Sequence, residues 1–137
     1  GEFARLCEQV IKWSGEVLTG RGQALIFLQT EWMKGNPDKK ELEKVLQLTL
    51  LWFRDLLNRK LGRTDREIFT PWANEISRQS AGWTSSRLVK AMDCVLQAQR
   101  QLSGPVQPQS VFEQMVLAIQ EGSFRVRSDR SPLSTSG

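Results

Sequence analysis

Six glycines, at positions 20, 35, 62, 82, 104 and 122, each follow a stretch whose apolar residues recur at helical spacing. Glycine reaches the left-handed conformation favoured just past a helix end, so each such glycine reads as a stop. The pattern predicts an all-α chain, a compact bundle of about six helices. No strand-loop-helix unit that could cradle a phosphate stands beside them. The chain contains no histidine, which removes the commonest general base and the commonest metal ligand. Contact with other proteins is the function this leaves in front.

At 137 residues the chain suits one domain with its own apolar core. Its 39% hydrophobic and 25% charged residues are ordinary for a globular protein. No apolar run approaches the roughly 20 residues of a membrane span, and no signal-peptide pattern opens the chain. Gly1-Glu2-Phe3 lacks an initiator methionine and runs straight into helical sequence, so an excised domain is expected. The formal charge of +4, from 19 basic and 15 acidic residues, is spread along the chain and reads as solvated surface. Cys7 and Cys94 have neither metal-ligand spacing nor a disulfide framework. Reduced, structural thiols and a cytoplasmic location are expected.

The first helix, about Phe3 to Leu18, places Phe3, Leu6, Cys7, Val10, Ile11, Val17 and Leu18 near one face, with Trp13 at its flank. A second is expected from Gln23 to Lys34, with Leu25, Leu28 and Trp32 in one stripe. Asp38 with Glu41 has capping-box spacing, and Asn36 before Pro37 is an alternative cap. The third helix then runs to about Leu61. It is apolar almost all round from Val45 to Leu57, the mark of a helix packed on several sides. A charged connector from Gly62 to Phe69 leads to Thr70-Pro71, a cap with proline at the first helical position. The fourth helix is short, carries Trp72 and Ile76, and closes at Gly82. Thr84, Ser85 or Ser86 caps the fifth, which shows Leu88, Ala91, Met92, Val95, Leu96, Gln99 and Leu102 along one face and ends at Ser103-Gly104-Pro105. Pro108 opens the sixth, expected to stop at Gly122. Residues 1–122 are thus read as the helical domain and 123–137 as a flexible tail. Trp13, Trp32, Trp52 and Trp72 fall roughly twenty residues apart without a shared motif, a spacing that one helix per twenty-odd residues produces anyway.

Two opposite charges, Arg54 and Asp55, stand inside the apolar block Leu50 to Leu57. Burying either unpaired costs several kcal/mol, so each needs a partner or a route to water. One reading pairs Asp55 with Arg59 a turn later and leaves Arg54 on an exposed edge. The other has these charges meet a neighbouring helix or another subunit. Gly20-Arg21-Gly22 lacks the strand, the Lys-Ser/Thr ending and the spacing of a phosphate loop. Asp38, Glu41 and Glu43 are accounted for largely by a helix cap, and nothing marks an activated nucleophile. Trp72 and Trp83, on and beside a short helix, are candidate interface aromatics, although tryptophan in a small helical domain also serves as core.

Taken in order, these segments resemble the C-terminal collar domain of the bacterial DNA polymerase III clamp-loader subunits, the delta-prime family most closely, over about Phe3 to Glu121. The family's tryptophan-x-arginine-aspartate-leucine-leucine stretch is matched by Trp52-Phe53-Arg54-Asp55-Leu56-Leu57. A connector and short helix ending near Ile76-Ser77-Arg78-Gln79-Ser80 follow. Then come two helices joined by Gly104-Pro105-Val106-Gln107-Pro108-Gln109, and Val111 to Leu117 after them. Proline and glutamine stand here where the family's joint usually has two asparagines. The gamma/tau subunit has a related collar domain.

The resemblance implies no ATPase activity and no cofactor for this chain, because the family's nucleotide-binding module and zinc site lie in N-terminal domains. It is then not an enzyme, though the full assembly is a DNA-directed DNA polymerase. The implied role is a helical wedge packed beside the equivalent domains of the gamma/tau and delta subunits. The sliding clamp and primed DNA would be met only through the whole complex, and no membrane is involved. Trp52, Arg54, Asp55, Glu113 and the helix around Met115 carry over by position. With Arg59, Trp72 and Trp83 they form the set of candidate subunit-interface residues. No catalytic, cofactor-binding or metal-binding residue is expected. A second function class is a helical nucleic-acid-binding module using Arg63, Arg66, Arg78, Arg87 and the tail's Arg125, Arg127 and Arg130.

Overall fold

The first helix, α1 (Glu2–Thr19), buries Leu6, Cys7, Val10, Ile11, Trp13 and Val17, a spacing that keeps one face inward. Phe3, expected on that face, is exposed at the helix start, and Trp13, expected at its flank, is fully buried. It stops at Gly20, whose φ of 70° lets its N–H donate back to the Val17 carbonyl. The computed structural model describes residues 1–20 and 22–128, residues 122–128 by backbone alone. Within that span the secondary structure is entirely helical.

Instead of one regular helix from Gln23 to Lys34, a short α2 (Gln23–Phe27) continues as a π-helical turn over Leu28–Trp32. The extra residue in such a turn shifts the buried face. Phe27, Leu28 and Trp32 all reach the core, while Ile26 is left exposed. Gly35 and Asn36 both adopt positive φ and turn the chain. The Asp38 carboxylate then accepts the Glu41 N–H at 2.8 Å, so of the two caps considered Asp38 closes the start of α3 (Lys39–Lys60).

Helix α3 is the spine. It packs against α1, α4 and α5, and Val45, Leu46, Thr49, Trp52, Phe53 and Leu56 are buried along it. Gly62, at φ 76°, turns the chain into a connector with single 3-10 turns at Thr64–Arg66 and Thr70–Trp72. Thr70-Pro71 therefore starts a 3-10 turn, without a side-chain cap, that leads into α4 (Ala73–Gly82). Gly82 is the last residue of α4 and has no positive φ. What its position requires is closeness: a Cβ there would lie 2.5 Å from Leu18 Cδ2 of α1.

Thr84 caps α5 (Ser85–Leu102), its hydroxyl accepting the Arg87 N–H at 3.0 Å. The last helix, α6 (Pro108–Ser128), passes through Gly122 rather than stopping there. A boundary at residue 122 is thus not marked by a helix end. The part of the expected tail over 129–137, with Arg130, and the side chains of Arg125 and Arg127 lie outside the described residues.

An aromatic cluster fills the centre. Trp13 lies 5.2 Å from Trp32 and 6.4 Å from Phe53, Trp32 lies 5.8 Å from Phe112, and Phe53 lies 5.3 Å from Trp83. Tilted and edge-on rings at such distances are the favoured aromatic arrangements. The regularly spaced tryptophans thus serve one core and do not mark stacked repeats.

Candidate functional site

The Trp52-to-Leu57 stretch lies mid-way along α3, and successive side chains there leave the helix in different directions. Trp52 is fully buried. Its indole N–H donates to Gln79 Oε1 of α4 at 3.1 Å, and its ring meets Phe69 edge-on at 5.3 Å. Gln79 in turn donates to the Ile11 carbonyl of α1 at 2.8 Å. One buried amide thereby ties α1, α3 and α4 together.

Asp55 is also fully buried and does not pair with Arg59. Its Oδ2 accepts the backbone N–H groups of Ile68 at 2.9 Å and Phe69 at 2.7 Å, and Oδ1 takes a weaker share from Ile68 at 3.1 Å. Burial pushes its carboxyl above the usual range, while the two amide donors pull it down less strongly. Arg59, half-buried, makes a two-pronged ion pair with Glu67, Nε to Oε2 at 2.7 Å and Nη2 to Oε1 at 2.9 Å. A third nitrogen reaches the Ser77 hydroxyl. Lys60 donates to the Ser80 carbonyl at 3.0 Å. The polar residues of α3's C-terminal half therefore clamp the connector and α4 onto α3 within the chain.

Arg54 differs. It is exposed and makes no hydrogen bond or ion pair among the described residues. Of the other interface candidates, Trp83 and Met115 are buried in this chain's own core. Trp83 has the Arg87 guanidinium stacked 4.6 Å from its ring centre. Glu113 is half-buried and accepts from Gln109 within α6 at 3.0 Å. Trp72 is half-buried, edge-on to Phe69 at 6.0 Å. Trp52, Asp55, Trp83 and Met115 are thus out of a neighbour's reach. Arg54, Trp72, Glu113 and, in part, Arg59 face outward.

The sequence reading missed the exposed apolar residues of α5. Val89 and Leu96 are exposed, and Met92 is half-buried between them. The sequence pattern puts Met92 and Leu96 on one face with Leu88 and Val95, and an amphipathic pattern does not show how far the stripe overruns its contact. Spacing i, i+3, i+7 was the available signal for their common side.

Two shallow grooves of about 360 Å³ each mark the surface. One, between α5 and α6, is lined by residues including Cys94, Gln97, Gln101, Gln114 and Met115. The other, between α1 and α4, includes Lys12, Glu16, Glu75, Arg78 and Gln79. Among the described residues no group of three or more His, Cys, Asp or Glu is placed to hold a metal ion. No helix among them is long and apolar enough to cross a membrane. Of the arginines considered for nucleic acid, Arg78 pairs with Glu75, and Arg87 is half-buried, its charged form disfavoured by that burial. Arg63 and Arg66 stand exposed on the connector.

The chain is similar to a Bacillus subtilis protein, "DNA polymerase III subunit delta'", with 31% identity over 121 residues. That alignment covers 88% of this chain and 37% of the relative, so the chain spans somewhat over a third of the relative's length. No protein-family profile matches the chain. No solved structure matches it significantly.

Proposed function

We propose that this chain is the oligomerisation (collar) domain of a bacterial DNA polymerase III clamp-loader subunit of the delta-prime type. In this reading it holds loader subunits side by side while a sliding clamp is placed on primed DNA. The observation that carries the proposal is the 31% identity to the Bacillus subtilis delta' subunit over 88% of the chain. The structure adds support of a different kind. Trp52 and Asp55, with Arg59 and Lys60 after them, brace α3, the connector and α4, which makes a stiff unit suited to transmitting position. The described grooves are shallow, which fits contact with protein surfaces better than enclosure of a small molecule.

The partners in this proposal are the corresponding domains of the gamma/tau and delta subunits, and the setting is the cytoplasm. Contact with clamp and DNA belongs to the assembled loader. The chain itself performs no chemistry in this reading. Gel filtration or sedimentation with gamma/tau and delta at micromolar concentration tests it. Co-migration in one complex is expected, with no measurable ATP turnover by the chain alone. Clean separation from both subunits contradicts the proposal. So does tight DNA binding by the isolated chain that falls steeply with salt, the behaviour of a phosphate-binding surface.

A further inference from the structure

Helices α3 and α5 lie side by side and antiparallel. Lys39 Nζ donates to the Gly104 carbonyl at 3.0 Å and Gln99 Nε2 to Gln47 Oε1 at 3.2 Å, so the start of α3 meets the end of α5. Equal rise along both helices then sets Leu50 beside Leu96, Arg54 beside Met92 and Leu57 beside Val89. On α3 and its C-terminal cap, residues 50, 54, 57 and 61 follow the i, i+4, i+7, i+11 spacing of one helical stripe. On α5, residues 89, 92 and 96 follow i, i+3, i+7. The two stripes form one outer face. Leu61 is 50% exposed, Val89 47% and Leu96 38%, while Leu50, Leu57 and Met92 are half-buried beneath them.

A face about 27 Å long, from the 18 residues of α5, and two helices wide presents on the order of 500 Å². Covered by a partner of equal area, that approaches the roughly 1,000 Å² of a specific contact. At its centre stands Arg54, an exposed cation with no hydrogen bond or ion pair among the described residues. A lid that covered it with apolar groups alone would leave a desolvated charge unpaired, at a cost of several kcal/mol. A twofold contact between two copies of this chain, centred on the face, would set Arg54 against Arg54. Like charges facing each other in an interface select against that pairing.

We infer that the α3–α5 face docks a helix of a different chain, one whose apolar residues surround a carboxylate that pairs with Arg54. This rests on the reading of the chain as a clamp-loader oligomerisation domain and names the surface that does the work. It leaves Trp52, Asp55 and Trp83 as supports of the face and not as contacts.

The test is assembly with the gamma/tau and delta subunits, read by sedimentation or fluorescence titration, using variants whose helicity and melting match the unaltered protein. Arg54→Glu and Leu96→Asp are each expected to weaken assembly at least tenfold. Ile26→Asp, at an exposed apolar site on α2, is expected to change it less than twofold. A photo-crosslinker at Val89 should join this face to a segment of the partner containing Asp or Glu, and changing that acid to Arg should rescue Arg54→Glu. Folded Arg54→Glu and Leu96→Asp variants that assemble within twofold of normal overturn the inference while leaving the proposed function standing. Self-association abolished by Arg54→Glu, or crosslinks arising from the α5–α6 groove in place of Val89, also overturns it. Failure of the unaltered protein to bind either subunit overturns both.

Discussion

A carboxylate inside an apolar helix face is tolerable only with donors at hand, and Asp55 has two, the N–H groups of Ile68 and Phe69. Removing the carboxylate orphans both. Asp55→Ala is expected to lose about 2–3 kcal/mol in chemical denaturation, with the connector exchanging amide hydrogens faster. Asp55→Asn keeps an oxygen acceptor and removes the buried charge, so its loss should stay under about 1 kcal/mol at neutral pH. The sign of the pH effect follows from the raised carboxyl. A folded state that holds its proton more tightly than the unfolded one loses stability as pH rises from the ordinary value near 3.8 through the raised one. The unaltered protein should therefore fall relative to Asp55→Asn over that span and run parallel to it above. Parallel curves from the acid side onward contradict the account. The sequence announced that Arg54 and Asp55 each needed a solution, and the reading that left Arg54 on an exposed edge holds for Arg54 but not for Asp55, which does not pair with Arg59. It could not name Asp55's partners. They are backbone groups 13 and 14 residues away, on a connector whose path is set by the packing of Phe69 on Trp52 and carries no periodic signal.

At the scale of elements, the glycine pattern holds two kinds of glycine that look identical in sequence. Gly62 sits at φ 76° with open space around it, so its requirement is purely conformational. Gly104 has no positive φ, and a Cβ there would meet only the Gln101 carbonyl at an ordinary 3.5 Å. Gly62→Ala is expected to cost about 1–2 kcal/mol, the penalty of a left-handed L-residue. Gly104→Ala should fall within about 0.5 kcal/mol of normal or stabilise slightly, since it only restricts the unfolded chain. Equal losses at both positions would show that φ is not what separates them. The caps make a matching contrast. Thr84→Ala removes the acceptor of the Arg87 N–H and should cost about 1 kcal/mol, whereas Ser85→Ala and Ser86→Ala should cost far less. Boundaries governed by such local chemistry, at Asp38, Thr84 and Pro108, were legible to within a residue or two. The π-turn at Leu28–Trp32 was not, because it answers to the place that Trp13 and Phe112 leave for Trp32. The run of α6 through Gly122 was hidden for a related reason: glycine permits a stop without requiring one.

For the whole molecule, the absence of histidine means that no imidazole of this chain couples its folding to pH near neutrality. The fold, an all-helical bundle around one aromatic core, was legible because helical periodicity recurs in every segment. Of the outer face proposed to meet a partner, the sequence offered Arg54 but not the exposed apolar residues around it, since exposure depends on how α3 and α5 settle against each other. The titrating groups that remain in the neutral-to-alkaline range include Cys7 and Cys94, whose thiols burial pushes upward. Each is favoured neutral in the folded state, so its contribution is intact below the ordinary thiol value of about 8.5 and declines as pH rises through it. The melting temperature should therefore move by less than about 2 °C between pH 7 and 8 and begin to fall above about pH 8.5. The fall can be no steeper than about 1.4 kcal/mol per pH unit for each thiol. Cys94→Ala, at a half-buried position, should make that alkaline fall shallower and leave the neutral plateau where it was. A slope between pH 7 and 8 that survives Cys94→Ala and Asp55→Asn alike would mean that another group changes its protonation on folding.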